Sequence, residues 1–184
     1  ETPEPIVYKH EYDPEIQELS LPLEDVEDLI AQADRLPKLR TITLRENLTE
    51  LEPVAALAAA YPGADVLYTV DVCGTAVSSA ETALDLSRLS SADTEEAVRS
   101  LALLPAVKRI KLSNQSMGFA DVGKFQALPS APVVDYTFTI YELQFSTADT
   151  FMDLNKVPIY DHAKQLRQVL PYMTACKQED MEYC

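Results

Sequence analysis

Glycine is scarce in this chain, which has four among its 184 residues. Nucleotide-binding folds and phosphate-binding loops need clustered glycines, because the backbone amides must approach a phosphate closely. The four glycines form no cluster, and the chain also has no G-x-S-x-G and no H-E-x-x-H motif. The sequence therefore argues against a nucleotide-binding protein and against serine hydrolases and zinc proteases that carry these motifs. We expect no cofactor.

Cysteine and histidine are also rare, with three and two residues respectively. Cys73, Cys176 and Cys184 are too few for a disulfide framework. A metal site would need more ligands than His10 and His162 supply. We therefore expect neither a disulfide-stabilised scaffold nor a metal site, and we interpret Cys176 and Cys184 as small buried residues.

Basic residues are outnumbered: 15 Lys and Arg stand against 30 Asp and Glu, for a formal net charge of −15. This charge repels nucleic acid and anionic membrane surfaces, so we expect neither as a partner. No apolar run is long enough to cross a bilayer, and none has the form of a signal-peptide core. A neutral or cationic partner is favoured instead.

What the chain does have is a recurring apolar pattern, L-x-x-L-x-x-L-x-L-x-x-N/C. Its middle copy places apolar residues at Leu104, Val107, Ile110 and Leu112, followed by Gln115. The other two copies are Leu36, Leu39, Ile42, Leu44 and Asn47, and, near the end of the chain, Met173, Cys176, Glu179, Met181 and Cys184. In the last copy, Glu179 is an acidic departure from the pattern.

The repetition extends well beyond this pattern. At an offset of 68 residues, Tyr68 aligns with Tyr136, and no gap is needed over positions 36 to 86. The first strand, near 16–21, aligns only with a shift of up to three residues. We predict a solvated, acidic, Pro-rich lead-in at 1–15, two units at about 16–83 and 84–151, and a partial unit at 152–184.

Each predicted unit alternates strands and helices. A short strand, at 83–87 or 151–155, precedes a helix whose apolar residues recur at helical spacing. The pattern strand and a second helix follow. Residues 66–73 and 133–141, rich in β-branched and aromatic side chains, close the two full units. Cys73-Gly74 predicts a tight turn into a hairpin, whereas Tyr141-Glu142 has no glycine at the matching place.

The pattern resembles that of the leucine-rich-repeat family, in the long compound form of secreted or surface bacterial proteins. The resemblance implies an α/β fold: a curved solenoid over 16–184 with a mostly parallel sheet, outer helices and hairpin insertions. Neighbouring units must stack, because one strand–helix unit cannot cover its own apolar face. The last strand would leave an open edge near Cys184, so we expect the chain to continue or another molecule, including a second copy, to cover that edge.

The resemblance also implies where a partner binds, because in a leucine-rich repeat the side chains between the pattern leucines point out of the concave sheet face. These candidates are Thr41, Thr43, Arg45, Arg109, Lys111, Ser113, Gln178, Asp180 and Glu182. Lys108, Arg109 and Lys111 are the one local excess of positive charge, which suits a carboxylate, a phosphate or an acidic partner. Alternatively, they offset neighbouring acids such as Asp180 or Asp153 across the sheet.

Leucine-rich-repeat proteins are mostly binding scaffolds, so the resemblance implies a non-enzymatic module that binds a protein or a glycan. It also implies an exported bacterial protein, at the cell surface or outside the cell. One alternative is a structural spacer within a longer solenoid. Another is a hydrolase in which Asp85 and Asp153 form a carboxylate pair across the sheet, although a repeat duplicates any polar strand position.

Overall fold

The computed structural model describes residues 8–114, 117–154 and 157–173. The chain divides into two compact units, Glu1–Ala80 and Glu81–Cys184, called unit 1 and unit 2 below. Each unit contains a four-stranded mixed sheet together with helices. In the described ranges, no helix is both long enough and apolar enough to span a bilayer.

Unit 1 alternates strands with helices and then ends in a hairpin. Its sheet has the order β1-β2-β3-β4, with the first two pairings parallel and the third antiparallel. Short 3-10 turns at Leu23–Asp25 and Ala33–Arg35 flank its first helix. The elements are β1 (Glu18–Leu21), α1 (Val26–Ala31), β2 (Thr41–Asn47), α2 (Glu52–Ala60), β3 (Asp65–Val72) and β4 (Thr75–Ser78).

Unit 2 has the same sequence of elements and one more helix. Its sheet order is β5-β6-β7-β8, again with two parallel pairings and one antiparallel pairing. Two 3-10 turns occur at Ser91–Asp93 and Leu170–Tyr172. The elements are β5 (Ala83–Asp85), α3 (Thr94–Leu101), β6 (Arg109–Ser113), α4 (Phe119–Gln126), β7 (Val133–Ile140), β8 (Leu143–Ser146) and α5 (Ile159–Val169).

Each sheet has one buried face and one open face. On β2 the side chains of Ile42 and Leu44 are buried, while Thr43 between them is partly exposed. On β6 Ile110 and Leu112 are buried, Arg109 and Lys111 are exposed, and Ser113 is partly exposed. The helices pack against the buried faces, α2 on β3 and α4 and α5 on β7. The alternation of apolar and polar residues thus separates core from surface strand by strand.

Aromatic rings fill much of the core of unit 2. The ring of Phe119 lies 4.8 Å from that of Tyr136 and 5.6 Å from those of Phe138 and Tyr172, between centroids. The buried hydroxyl of Tyr136 donates a hydrogen bond of 2.7 Å to the carbonyl of Met117. Burial raises the pKa of Tyr136 to about 12, so the phenol stays a neutral donor.

The prediction of one curved solenoid with a mostly parallel sheet is wrong. The strands form two separate sheets, because β4 and β8 fold back antiparallel along β3 and β7. The edge of β3 that a following parallel strand would need is occupied by β4, the edge of β7 is occupied by β8, and the strand order of each sheet ends with its hairpin. The hairpins were predicted as insertions into a continuous sheet, and they are its boundaries instead.

The predicted first strand of a third unit is also wrong over its described part. Residues 151–154 form no strand. The strand predicted beside it, in the last copy of the apolar pattern, lies almost wholly outside the described residues. The predicted open edge near Cys184, and the buried positions of Cys176 and Cys184, lie outside them as well.

The two hairpins share one register and one kind of turn. Thr69 lies opposite Ser78, and Thr137 lies opposite Ser146, at the same offset of 68 residues on both strands. Both central residues of each turn have positive φ: 51° and 83° for Cys73-Gly74, and 43° and 62° for Tyr141-Glu142. The second turn therefore adopts the left-handed geometry of a two-residue hairpin without a glycine to relieve it.

The first strands of the two units differ in position by three residues. Glu18 pairs with Thr41, whereas Ala83 pairs with Arg109, so the stretch of chain between the paired residues is three residues shorter in unit 1 than in unit 2. The backbone bonds that lead into these pairings are alike: the amide of Arg40 bonds to Gln17, and that of Lys108 bonds to Thr82, both at 2.8 Å. The shorter connection therefore leaves the pairing itself unchanged.

Candidate functional site

The binding residues predicted on β2 and β6 lie on the open faces of the two sheets. In unit 1, Thr41 and Thr43 are partly exposed and Arg45 is exposed. In unit 2, Arg109 and Lys111 are exposed and Ser113 is partly exposed. Each set of three lies along its own strand, while Gln178, Asp180 and Glu182 lie outside the described residues.

The charge of Lys111 is offset by a neighbouring acid. Its ammonium lies 3.5 Å from Oδ2 of Asp85, the residue that pairs with it on β5. Asp85 also accepts hydrogen bonds from the hydroxyl and the amide of Ser87, at 2.5 and 3.0 Å. These bonds, with help from Lys111, lower the pKa of Asp85 and keep it ionised. Lys111 thus offsets an acid on the neighbouring strand, as the alternative interpretation expected, but this acid is Asp85 and not Asp180 or Asp153.

Arg109 is placed differently. In the sheet it lies between Ala83 on β5 and Val133 on β7. Val133 is 58% exposed, so the guanidinium is flanked by accessible aliphatic surface. No ion pair joins Arg109 to any residue in the part of the chain that the structure describes. Arg109 is therefore the cation of this face that is available to a partner.

Asp85 and Asp153 are not the neighbouring strand residues that the predicted carboxylate pair assumed. Asp85 lies on β5, an edge strand that pairs with β6 alone, and Asp153 lies in the irregular segment after β8. The two residues therefore do not occupy matched strand positions. Because the pKa of Asp85 is lowered by Ser87, this carboxyl is also poorly suited to act as a general acid.

One spacing in unit 2 has the form of a phosphate-binding loop. Gly118, Gly123 and Lys124 match the G-x-x-x-x-G-K part of that motif, with Phe125 where a serine or threonine is required. The segment is helical from Phe119 onward, so no loop of backbone amides is present to surround a phosphate. Lys124 instead pairs with Glu95 at 2.6 Å.

A cleft of about 390 Å³ lies in unit 1, beside the carboxyl end of β1. Ligands of α/β sheets commonly bind at this end of the strands. One wall comes from the segment before β1, and Arg45 reaches the cleft from β2. The lining residues are His10, Glu11, Tyr12, Leu19, Ser20, Leu21, Pro22, Asp25 and Arg45.

The buried carboxylate of this cleft is already paired. Asp25 is 6% exposed, forms a salt bridge with the ammonium of Lys9, and lies 3.3 Å from Nε2 of His10. The hydrogen bond from Lys9 lowers the pKa of Asp25, so the carboxylate is ionised at neutral pH. A ligand in the cleft therefore meets an acid whose charge is compensated.

Backbone contacts hold the wall of the cleft in place. Asp28 accepts hydrogen bonds from the amides of Lys9 and His10, at 2.6 and 3.2 Å. The buried amide of Gln32 donates to the carbonyl of His10 at 2.8 Å. Residues 8–12, predicted as part of a solvated lead-in, are thus bound to α1 by several hydrogen bonds.

The other polar groups of the cleft are less committed. Arg45 donates from Nη2 to the carbonyl of Ser20 at 2.7 Å, which leaves other N–H groups of the guanidinium available. The hydroxyl of Tyr12 is partly buried, and burial together with the charges of Asp25 and Asp28 raises its pKa. Tyr12 is therefore a neutral hydrogen-bonding group.

Of the cleft residues, Arg45 alone was among the predicted binding residues. His10, Glu11 and Tyr12 precede the repeat, and nothing in the repeat pattern connects them to β1 or β2. The only signal in the sequence was the presence of Tyr8, His10 and Tyr12 in an otherwise acidic, Pro-rich segment. Such aromatic residues favour contact with a folded surface.

Among the described residues, no three His, Cys, Asp or Glu side chains are grouped so that they could hold a metal ion. Comparison of the chain with protein-family models, with curated proteins and with solved structures found no match.

Proposed function

We propose that the protein is a non-enzymatic binding module whose open sheet faces contact a protein partner. The observation that supports this is the arrangement of the helices, which pack on one face of each sheet and leave the other face accessible. A broad face of polar side chains is the kind of surface that protein partners bury, whereas small ligands favour concave sites.

The two faces differ in charge. In unit 1 the row across the sheet is Glu18, Thr41 and Asp65; the equivalent row in unit 2 is Ala83, Arg109 and Val133. The first row is acidic and the second is cationic with aliphatic neighbours. A partner that carries a carboxylate beside an apolar side chain fits the second row, because Arg109 has no ion pair to lose among the described residues.

The export and bacterial cell-surface location implied by the resemblance stay predictions. The spacer alternative also stays a prediction, although the longer solenoid that it assumed is not the fold of this chain. The hydrolase alternative assumed that Asp85 and Asp153 are strand neighbours; they are not, and the alternative itself stays a prediction.

The test is a binding screen of the full chain against an array of purified surface proteins, followed by variants. Arg109→Glu reverses the charge at one position on the open face of unit 2, so we expect it to weaken binding of the partner by about tenfold or more. Thermal unfolding should be nearly unchanged, because an exposed side chain contributes little to stability.

Lys164→Glu is the matched control, because Lys164 is exposed on α5 and not on a sheet. It makes the same change in net charge, and we expect it to leave binding within about twofold. Partners that bind Arg109→Glu and the unchanged chain equally well would contradict the proposal.

A further inference from the structure

We propose that the cleft of unit 1, to which Arg45 of the open sheet face contributes, is a binding site for a neutral saccharide. The charge in the cleft is the first argument. Asp25 is paired with Lys9 and His10, and the two remaining charges, Glu11 and Arg45, have opposite sign. The cleft therefore has little net charge of its own.

Charged ligands are disfavoured there for two separate reasons. An anion would enter against the field of a chain whose net charge is −15 and would approach both Glu11 and Asp25. A cation would have to compete with Lys9 for the buried carboxylate of Asp25. A neutral ligand meets neither cost.

The uncommitted polar groups include both donors and an acceptor. Arg45 has guanidinium N–H groups beyond those bonded to Ser20, and Tyr12 has a hydroxyl. The carboxylate of Glu11 accepts hydrogen bonds, and no ion pair occupies it within the described residues. Hydroxyl groups of a sugar both donate and accept, so they can satisfy all three side chains.

The apolar part of the cleft lining suits the C–H face of a sugar ring. Leu19 and Pro22 are partly exposed in the cleft, and the ring of Tyr12 lies near that of His10, with centroids 6.2 Å apart. These surfaces can cover the C–H face of a pyranose while its edge hydroxyls reach the polar groups. A volume of about 390 Å³ is of the size that small ligands occupy in proteins.

The test uses the full chain and a defined panel: glucose, galactose, N-acetylglucosamine, maltose and lactose, each examined by saturation-transfer NMR and then by calorimetry. We expect at least one of these saccharides to bind. Glu11→Ala and Tyr12→Phe each remove one hydrogen-bonding group, so each should lower the affinity for that saccharide by about fivefold to tenfold.

Two controls match these variants. Tyr8→Phe changes a tyrosine of the same segment that does not line the cleft, and Glu50→Ala removes an exposed acid elsewhere in unit 1. Both should bind the saccharide as the unchanged chain does. Failure of the unchanged chain to bind any member of the panel overturns the proposal.

Equal affinity in the cleft variants and the controls also overturns it, as does tighter binding of acetate or of lysine at the same residues. Arg109→Glu should leave saccharide binding intact, because it lies in unit 2. Loss of saccharide binding and loss of the protein partner are therefore distinguishable outcomes.

Discussion

The carboxylate of Asp85 lies 3.5 Å from the ammonium of Lys111, on the neighbouring strand of the open face of unit 2. Both side chains are more than half exposed, so the pair adds little to stability. The pair matters for binding, because Asp85 offsets the positive charge of Lys111. Arg109, two residues earlier on the same face of β6, has no such acidic partner among the described residues. We therefore expect the two basic residues of β6 to contribute unequally to the binding of an acidic partner.

From this difference we expect Arg109→Ala to lower the affinity for the protein partner more than Lys111→Ala does. The two losses should differ by roughly threefold to tenfold. Removing Lys111 also removes the partner of Asp85, so its cost to binding comes mainly from an exposed acid on the face. Titration of both variants against one partner from the array measures the ratio. Equal losses would show that Asp85 does not screen Lys111.

The turn between β7 and β8 should be improved by glycine. Glu142 has φ of 62°, a left-handed conformation that strains a side chain and that Gly74, at 83°, adopts freely in the first hairpin. We expect Glu142→Gly to raise the free energy of unfolding by about 1 kcal/mol, as measured by denaturant titration.

The reverse change provides the control for this turn. Gly74→Ala places a Cβ at a left-handed position and should lower the free energy of unfolding by about 1 kcal/mol. Nothing lies within 4 Å of that Cβ, so the effect would come from the backbone conformation and not from a clash. Glu142→Gly with no stabilisation would mean that this turn relaxes its strain in another way.

Asp121 should make unit 2 sensitive to acid. Burial raises its pKa, but hydrogen bonds from the hydroxyl of Ser91 at 2.7 Å and from the amide of Gly118 at 3.1 Å outweigh burial, and the pKa falls below 3.8. The ionised form thus stabilises the fold fully above pH 3.8, and this stabilisation is lost as the pH falls through the lowered pKa.

Asp121→Asn should remove that part of the pH dependence and cost about 1–3 kcal/mol near neutral pH, because donors then face a weaker acceptor. Denaturant titrations at a series of pH values measure both effects. Glu96→Gln, an exposed acid on α3, is the matched control and should leave the pH profile unchanged. An unaltered acid transition in Asp121→Asn would refute the role assigned to this carboxylate.

The wall of the cleft should depend on Asp28. Its carboxylate accepts the amides of Lys9 and His10, at 2.6 and 3.2 Å, so Asp28→Ala should accelerate hydrogen exchange of these two amides by roughly tenfold. NMR-detected exchange measures each amide separately. Asp34→Ala removes an exposed acid near the same helix and should leave both rates unchanged.

Local patterns were enough to predict much of each unit. The spacing of Ile42 and Leu44, and of Ile110 and Leu112, indicated strands with one buried face, because successive side chains of a strand point to opposite sides. All four are buried in the structure, and the polar residues between them lie on the open faces. Cys73-Gly74 likewise indicated its hairpin, since glycine suits the left-handed turn.

The pairing of whole strands was beyond the reach of these patterns. The repeat suggested that successive parallel strands would continue one sheet, but the edge of β3 is taken by β4 and the edge of β7 by β8. Strand partners are chosen by long-range hydrogen bonding and not by spacing within a strand. The turn at Tyr141-Glu142 forms for the same reason: pairing of β7 with β8 outweighs the local preference for glycine.

By itself the sequence determined which side of each strand is apolar, where helices alternate with strands, and how strongly acidic the protein is, because these depend on residues close together in the chain. Only the tertiary structure decided that there are two sheets and that His10, Leu19 and Arg45 line one cleft. Those residues are brought together by β1 pairing with β2 and by the hydrogen bonds that bind residues 8–12 to α1. Contacts between such distant residues depend on the whole fold, and no short stretch of the chain contains them.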